Sequence, residues 1–384
     1  MTPSISLIRQ ADYEPRSVYR AMRAAIDLLG GMGCFISPGE RILLKPNLLS
    51  PSSPEKAITT HPAVVRAAVD LVREAGGKPF IGDSPGLGSL IKAAERAGIK
   101  EVAEVAGVEL VEFDQPVEAK VPSHFRFKRV EVAQDALQAD GIINLPKLKT
   151  HGQMALTLSV KNMFGCVPGR RKAQWHFQAG VDRDQFAQML LELYEIMKPR
   201  LNILDGILGM EGNGPGNGGS PRWTNLVAAS ADGMALDRVI AELLGISSTS
   251  VPTIKVARER GISRFEWDEL EIRGESWEKM RVSGFLPPKS LDLGWGIPPF
   301  LRRALRGALT ARPLIDSSRC ALCLVCSEAC PAQAIQKRGD QLVIEQHGCI
   351  RCFCCQELCP EGAVKTQEGW AIRCLGIKKE KSVR

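Results

Sequence analysis

The sequence predicts an α/β protein, a mostly parallel sheet with helices on both faces, followed by a small α+β domain built around cysteines at the C-terminus. Three observations carry this expectation. Short apolar runs alternate with amphipathic helical patterns over the first 245 residues, as in successive strand–helix–strand units. Strand candidates such as Ile142, Ile143 and Leu145 are nearly continuously apolar, as required where a sheet is buried on both faces. Nine of the 12 cysteines lie between residues 320 and 359, eight of them in two runs of identical spacing.

The candidate strands cover residues 5–8, 42–44, 79–82, 141–145, 201–204 and 226–229. Between several of them lie helical patterns at 17–29, 62–75, 185–197 and 232–244. The clearest is 62–75, with Thr60 or His61 as cap, Pro62 in the first turn, and Gly76 and Gly77 as the stop. From Ile246 to Pro299 the pattern weakens. Phe265, Trp267, Leu270 and Ile272 suggest strands, residues 295–299 read as a linker or docking segment, and 301–309 with Arg302, Arg303 and Arg306 as a short basic helix. The expected domains are 1–300 (α/β), 301–313 (basic linker helix), 314–375 (cysteine domain) and 376–384 (basic tail).

In a parallel sheet, ligands bind beyond the carboxyl ends of the strands, so the residues after each strand matter most. Those residues follow one rule. Lys45 and Asn47 follow the second strand, Asp83 and Ser84 the third, Lys147, Lys149 and His151 the fourth, and Asp205 and Glu211 the fifth. For any single residue, capping a helix or solvating a loop is the commoner role; four loops obeying one rule argue for a site. Lysines beside a histidine suit an anionic substrate, and the carboxylates can pair with them, hold a metal or move protons.

Smaller signals are weaker. Residues 214–219 match G-x-G-x-x-G, but Ser220 and Pro221 follow where a helix should open, so the stretch reads as a lid or a close backbone approach to a ligand. Lys161 and Asn162 precede a Phe164-Gly165-Cys166 turn. Cys166 is more often a buried apolar residue than a nucleophile. Arg170, Arg171 and Lys172 read as a solvated turn or an anion clamp.

Cys320, Cys323, Cys326 and Cys330 are spaced C-x2-C-x2-C-x3-C and followed by Pro331; Cys349, Cys352, Cys355 and Cys359 repeat this with Pro360. Every position in the second run lies 29 residues after its counterpart, and Ala334 and Ile335 match Ala363 and Val364 at the same offset. This is the spacing of bacterial two-cluster ferredoxins, in which the fourth cysteine of each run serves the other cluster. It predicts a ferredoxin-like 2[4Fe-4S] domain, with one cluster on Cys320, Cys323, Cys326 and Cys359 and the other on Cys349, Cys352, Cys355 and Cys330. Each proline is expected to end its loop and open a short helix. Paired C-x2-C zinc sites fit two runs of four poorly, and Cys354 reads as a non-ligand.

The net charge of +7 is concentrated after residue 300, where 14 Lys/Arg stand against 8 Asp/Glu. These cations serve equally well to offset anionic clusters or to meet a partner. With Phe353 and Trp370 the only aromatics of the cysteine domain, no nucleic-acid stacking platform is expected. No apolar run reaches the ~18 residues that span a bilayer, so a cytoplasmic protein is expected.

The residues K-P-N at 45–47, T-T-H-P at 59–62, G-D-S-P-G at 82–86, N-L-P-K-L-K-T-H at 144–151, V-K-N-M-F-G-C-V-P-G at 160–169 and the run at 204–219 together resemble the domain of unknown function 362 family over roughly 1–245. The resemblance implies an α/β domain joined to a cluster domain and leaves the substrate open. The leading expectation is an iron-sulfur redox protein, an oxidoreductase if the site turns over. Its two clusters pass electrons between a soluble partner protein and an anionic small molecule bound by Lys45, Asn47, Asp83, Lys161 and Asn162. Lys147, Lys149, His151, Asp205 and Glu211 would do the chemistry. Two other readings stay open: a tethered electron carrier whose α/β domain only docks or regulates, and a non-redox enzyme with structural clusters.

Overall fold

A computed structural model describes residues 2–169, 171–180, 182–262, 266–289 and 311–367. Sixteen strands are present among them. Ten form one sheet: β1 Ser4–Arg9, β2 Arg41–Pro46, β3 Lys78–Asp83, β4 Leu110–Glu112, β7 Gly141–Leu145, β8 Lys147–His151, β9 Ala155–Thr157, β10 Leu201–Gly212, β11 Gly219–Ser230 and β12 Glu271–Gly274. β5 Pro116–Glu118 and β6 Glu131–Ala133 pair apart from it, and β13 Arg312–Ile315, β14 Ile335–Arg338, β15 Gln341–Ile344 and β16 Val364–Gln367 belong to the cysteine unit.

The sheet runs β12-β1-β11-β10-β7-β2-β3-β4. β4, β3, β2, β7 and β10 are mutually parallel neighbours, while β11 runs against both β10 and β1. The sheet is therefore mostly parallel, with two reversed strands, β11 and the short β9, which runs against β8. Its centre is apolar on both faces: Leu43 and Ile142 join one core and Ile42, Leu44 and Ile143 the other. Helix Pro15–Asp27 is capped by the Glu14 carboxylate and helix Pro62–Glu74 by His61, whose Nδ1 accepts the Ala63 amide at 3.2 Å.

Two departures from the sequence reading matter. The fifth and sixth strands are far longer than their apolar segments, because β10 and β11, 12 residues each, continue as a hairpin past the sheet edge. The glycine-rich stretch is the turn of that hairpin. Among the described residues between 260 and 289, Trp267–Glu269 forms a 3-10 turn and only β12 is a strand, at the sheet edge. Phe265, the docking segment 295–299, the basic helix 301–309 and the tail 376–384 lie outside the described residues.

The cysteine unit has internal two-fold regularity that reaches beyond the cysteines. β13 and β15, like β14 and β16, are related by the 29-residue offset, and so are their pairings, Arg312 with Gln367 and Gln341 with Arg338. The left-handed residues repeat too: Leu322 and Arg351, Leu324 and Phe353, Gln333 and Gly362. The unit starts on a strand at Arg312, inside the expected linker helix. No helix follows Pro331 or Pro360. The short helices Val325–Glu328 and Cys354–Leu358 come before the fourth cysteine of each run instead, and left-handed Gln333 and Gly362 turn the chain directly into β14 and β16.

Candidate functional site

The strand ends place four of the expected groups around one space. At the end of β2, the buried Lys45 Nζ pairs with Asp83 Oδ1 at 2.9 Å and donates to the Pro46 carbonyl at 2.8 Å. Asp83 also accepts the amides of Leu48 and Ser84 at 2.8 and 2.7 Å. A Cβ on Gly165 would lie 2.2 Å from Asp83 Oδ1 and 2.5 Å from Lys45 Nζ, so the Phe164-Gly165-Cys166 turn closes over this pair only because residue 165 has no side chain.

Lys149, from β8, donates to Asn47 Oδ1 and to the Ile58 carbonyl, both at 2.7 Å. Asn47 is held by an amide chain: it donates to Asn162, Asn162 to Asn144, and Asn144 to Asn202, at 2.7, 2.7 and 2.9 Å. Each amide in the chain is buried or half-buried and partnered, which fixes the Asn47 carbonyl towards Lys149. Lys161, in helix Ser159–Asn162, lies 4.7 Å from the Phe164 ring centroid and 5.9 Å from that of Phe186, a cation–π setting.

These residues line a cavity of about 670 Å³ between the sheet edge and the cysteine unit. The opposite wall carries Cys354, Glu357 and Leu358 of the second cysteine run, with Glu328 and Ala329 of the first. Helix Arg171–Ala179 adds Lys172, which donates to Ser84 Oγ at 2.9 Å, and His176. Burial pulls the Lys149 ammonium down to about 7, with Glu357 opposing. Burial lowers Lys161 and Lys172 in the same direction; Lys172 is only half-buried, which weakens the effect there. His176 is driven down to about 3 by burial and by the Lys161 charge, so it is neutral.

Glu357 is the deepest carboxylate of the far wall. His151 Nδ1 accepts the amides of Gln153 and Met154 at 3.0 and 3.1 Å, which leaves its proton on Nε2, 3.5 Å from Glu357 Oε2. Burial favours the neutral acid at Glu357. The His151 Nε2–H that faces it, then the Lys161 charge, outweigh burial and hold the carboxyl well below the usual range.

Not every expected residue joins this site. Lys147 donates to Asp205 Oδ2 at 2.7 Å and to Tyr13 OH at 2.9 Å, while Tyr13 OH donates to Asp205 Oδ1 at 2.7 Å and its ring stacks 3.5 Å from His61. That group is separate and internally satisfied, with Lys147 and Asp205 fully buried, and none of the four lines the cavity. Glu211 accepts the Leu286 amide at 3.0 Å on the hairpin and is likewise outside it. His151 acts one step back, through Glu357. The expectation that all the polar loops meet at one place therefore holds for Lys45, Asn47, Asp83, Lys149, Lys161 and Asn162. It fails for Lys147 and Asp205, because β8 and β10 lie side by side and their side chains neutralise each other. The sequence offers Lys172 only as part of a run that reads as a solvated turn or an anion clamp and Cys354 only as a non-ligand, and it gives no signal for His176, Thr157 or Glu357.

The cysteines themselves form two sets of neighbours. Cys320, Cys323, Cys326 and Cys359 wall one small space with Ile315, Leu342 and Val364. Cys326 is pushed up to about 11 by burial and then by Cys359, Cys320 and Cys323; Cys355 rises through burial and then Cys352, Cys349, Cys326 and Cys330. Crowded thiols that raise one another need a cationic centre to ionise, which is what iron supplies. Backbone amides also aim at sulfur: Ala334 at Cys330, Arg351 at Cys349 and Ala363 at Cys359, at 3.3, 3.4 and 3.2 Å. The donor set fits an iron-sulfur centre. The glycine-rich hairpin turn holds this unit on the sheet. Asn217 Nδ2 donates to the Pro360 carbonyl at 2.8 Å, Gln356 Nε2 donates to the Asn213 carbonyl at 2.9 Å, and Gly216 lies so close that a Cβ would sit 2.4 Å from the Glu357 carbonyl. It is a clamp rather than a lid.

An α/β unit clamped to a cysteine unit of this kind defines an iron-sulfur protein with electron-transfer capacity, and residues 312–360 match the 4Fe-4S dicluster domain. Residues 42–242 match the domain of unknown function (DUF362), and the chain belongs to that family. A thylakoid-associated protein of Synechocystis sp. is 40% identical over 306 residues, covering 80% of this chain and 94% of that one. Two solved structures are similar at 10% identity and a TM-score of 0.37. They are the lactate racemase apoprotein of Thermoanaerobacterium thermosaccharolyticum, covering 62% of this chain and 56% of that one, and a Thermotoga maritima protein, covering 59% and 57%. The chain thus spans little more than half of each, and neither likeness bears on the site. Among the described residues no helix is long and apolar enough to cross a membrane.

Proposed function

We propose that the chain is an iron-sulfur oxidoreductase that holds two 4Fe-4S clusters and exchanges electrons with an anionic small molecule in the cavity. The ligands are Cys320, Cys323, Cys326 and Cys359 for one cluster and Cys349, Cys352, Cys355 and Cys330 for the other. The observation that carries the reading is the two-sided cavity, with lysines of the α/β unit facing Cys354 and Glu357 of the second cysteine run. Bound clusters give or take single electrons. The chain's own residues hold the anion and manage its protons: Lys149, Lys161 and Lys172 bind it, and the Lys45–Asp83 pair fixes the near wall. Two electrons and two protons convert an acceptor A to AH2, and Lys149, poised near neutrality, is the first proton donor. A soluble protein supplies the electrons. The expected location is the cytoplasm, and the relative's thylakoid association adds a membrane surface as a place of action.

One observation favours a second reading. The hairpin clamp and the lysines fit the cysteine unit closely enough for the α/β unit to be a docking module for a tethered electron carrier. Anaerobic reoxidation separates the two. Reduced protein mixed with pooled anionic metabolites recovers its cluster absorbance rapidly under the proposed reading, and Lys149→Met suppresses this. Reoxidation that appears only when a protein fraction is added supports the carrier reading.

A further inference from the structure

The cavity is over-supplied with cations. Lys45 is matched by Asp83; Glu357, 3.5 Å from His151, acts on both Lys149 and Lys161, and the remaining carboxylate of the lining, Glu328, is exposed. Lys149 and Lys172 each donate to neutral oxygens, and among the described residues neither forms an ion pair. The principal charges acting on Lys149 are Glu357, Lys161, Lys147 and Asp83; on Lys172 they are Asp83, Lys45, Cys166 and Lys161. Lys149 is anchored on Asn47 and the Ile58 carbonyl and Lys172 on Ser84, so the two ammonium groups stand at separate places in the cavity. Two further groups await partners. His176 Nδ1 and Thr157 Oγ1, each on a residue only 3% exposed that lines the cavity, make no hydrogen bond. Buried polar atoms without partners are costly and are normally satisfied by something bound. Leu48, Leu49, Phe164 and Leu358 give the same space an apolar side.

Resting on the anion-site reading above, we infer that the ligand is a dianion with two separate acidic groups on an apolar body, a small dicarboxylic acid, with one carboxylate on Lys149 and the other on Lys172. One phosphate would concentrate its charge at a single place and leave the other lysine unmatched. Lysine, a point charge with rotatable donors, suits a single carboxylate oxygen as well as any cation. Thr157 donates its hydroxyl, and His176 Nδ1 takes or gives a hydrogen bond according to its tautomer.

The test is calorimetric titration of the cluster-loaded protein, kept anaerobic, with butyrate, inorganic phosphate, succinate, glutarate and adipate. The inference expects one of the dicarboxylates to bind at least tenfold tighter than butyrate and phosphate. It also expects net proton uptake on binding at pH 8, because the carboxylate beside Lys149 restores charge that burial had drawn off. Lys149→Met and Lys172→Met should each bring the dicarboxylate down to butyrate affinity. Butyrate or phosphate binding as tightly as every dicarboxylate overturns the dianion while leaving the anion site standing. Lysine variants that shift the cluster potentials but leave dicarboxylate binding intact also overturn it, since the lysines then serve only to offset the clusters. Absence of binding by every anion overturns the site reading and the inference together. The wild-type series alone decides the matter if a variant fails to fold.

Discussion

At the scale of single residues, the account rests on charges placed where water is scarce. Removing one partner of a buried ion pair strands the other, so Lys45→Ala should cost about 3–5 kcal/mol of stability, measured by thermal or urea unfolding. Gly165→Ala should cost a comparable part of it by forcing Asp83 and Lys45 apart. The lysines make a prediction of opposite character. Lys149 titrates near 7 in the folded chain against an ordinary 10.5, so between those values the unfolded chain binds more protons than the native one. Stability should then rise as pH rises from about 7 towards 10. Melting temperature followed from pH 7 to 9 should increase for the ligand-free protein, and Lys149→Met should flatten the rise.

Residue type and position were readable only where the strand-end rule applied. Lys45, Asn47, Asp83 and Lys149 stand after apolar strands and announce themselves. Lys172 and His176 do not, because their helix follows an irregular turn and a run of basic residues looks the same in sequence whether it faces solvent or a cavity. Lys147 looked equivalent to Lys149 two residues away; that it is spent on Asp205 depends on the pairing of β8 with β10, which no local pattern encodes.

At the scale of elements, the hairpin β10–β11 is the piece that joins the halves of the molecule. The five glycines of residues 212–219 allow backbone to meet backbone, and at Gly216 any side chain would collide with the Glu357 carbonyl. Gly216→Ala should therefore loosen the cysteine unit without removing a cluster ligand: iron content unchanged and the melting transition lowered. The glycine-rich stretch was visible in the sequence as a close-approach loop. What it approaches was not, since the contact is between segments about 140 residues apart. The repeat within the cysteine unit was more legible than its own secondary structure. Cysteine spacing gave the two-fold relation, whereas the helices fell before the fourth cysteine because the left-handed residues at 324 and 353 start them there.

At the scale of the whole molecule, the core cluster of the cysteine unit holds, among the described residues, eight buried apolar residues and cysteines, too few to hold its fold without the metal. Oxidative removal of the clusters should unfold residues 311–367 while the ten-stranded sheet keeps its circular dichroism. It should also abolish anion binding, since the unit supplies one wall of the cavity. Retained binding by cluster-free protein would place the whole ligand site on the α/β unit.

The central claim is that an anion in the cavity lies against the second cysteine run and is served by it. Electron paramagnetic resonance of the reduced protein, with and without the tightest-binding dicarboxylate, tests this most directly. The account predicts that one of the two cluster signals shifts, that of the cluster held by Cys349, Cys352, Cys355 and Cys330, and that Lys149→Met removes the shift. Signals left unchanged at saturating ligand, or changed only for the cluster on Cys320, Cys323, Cys326 and Cys359, would contradict it.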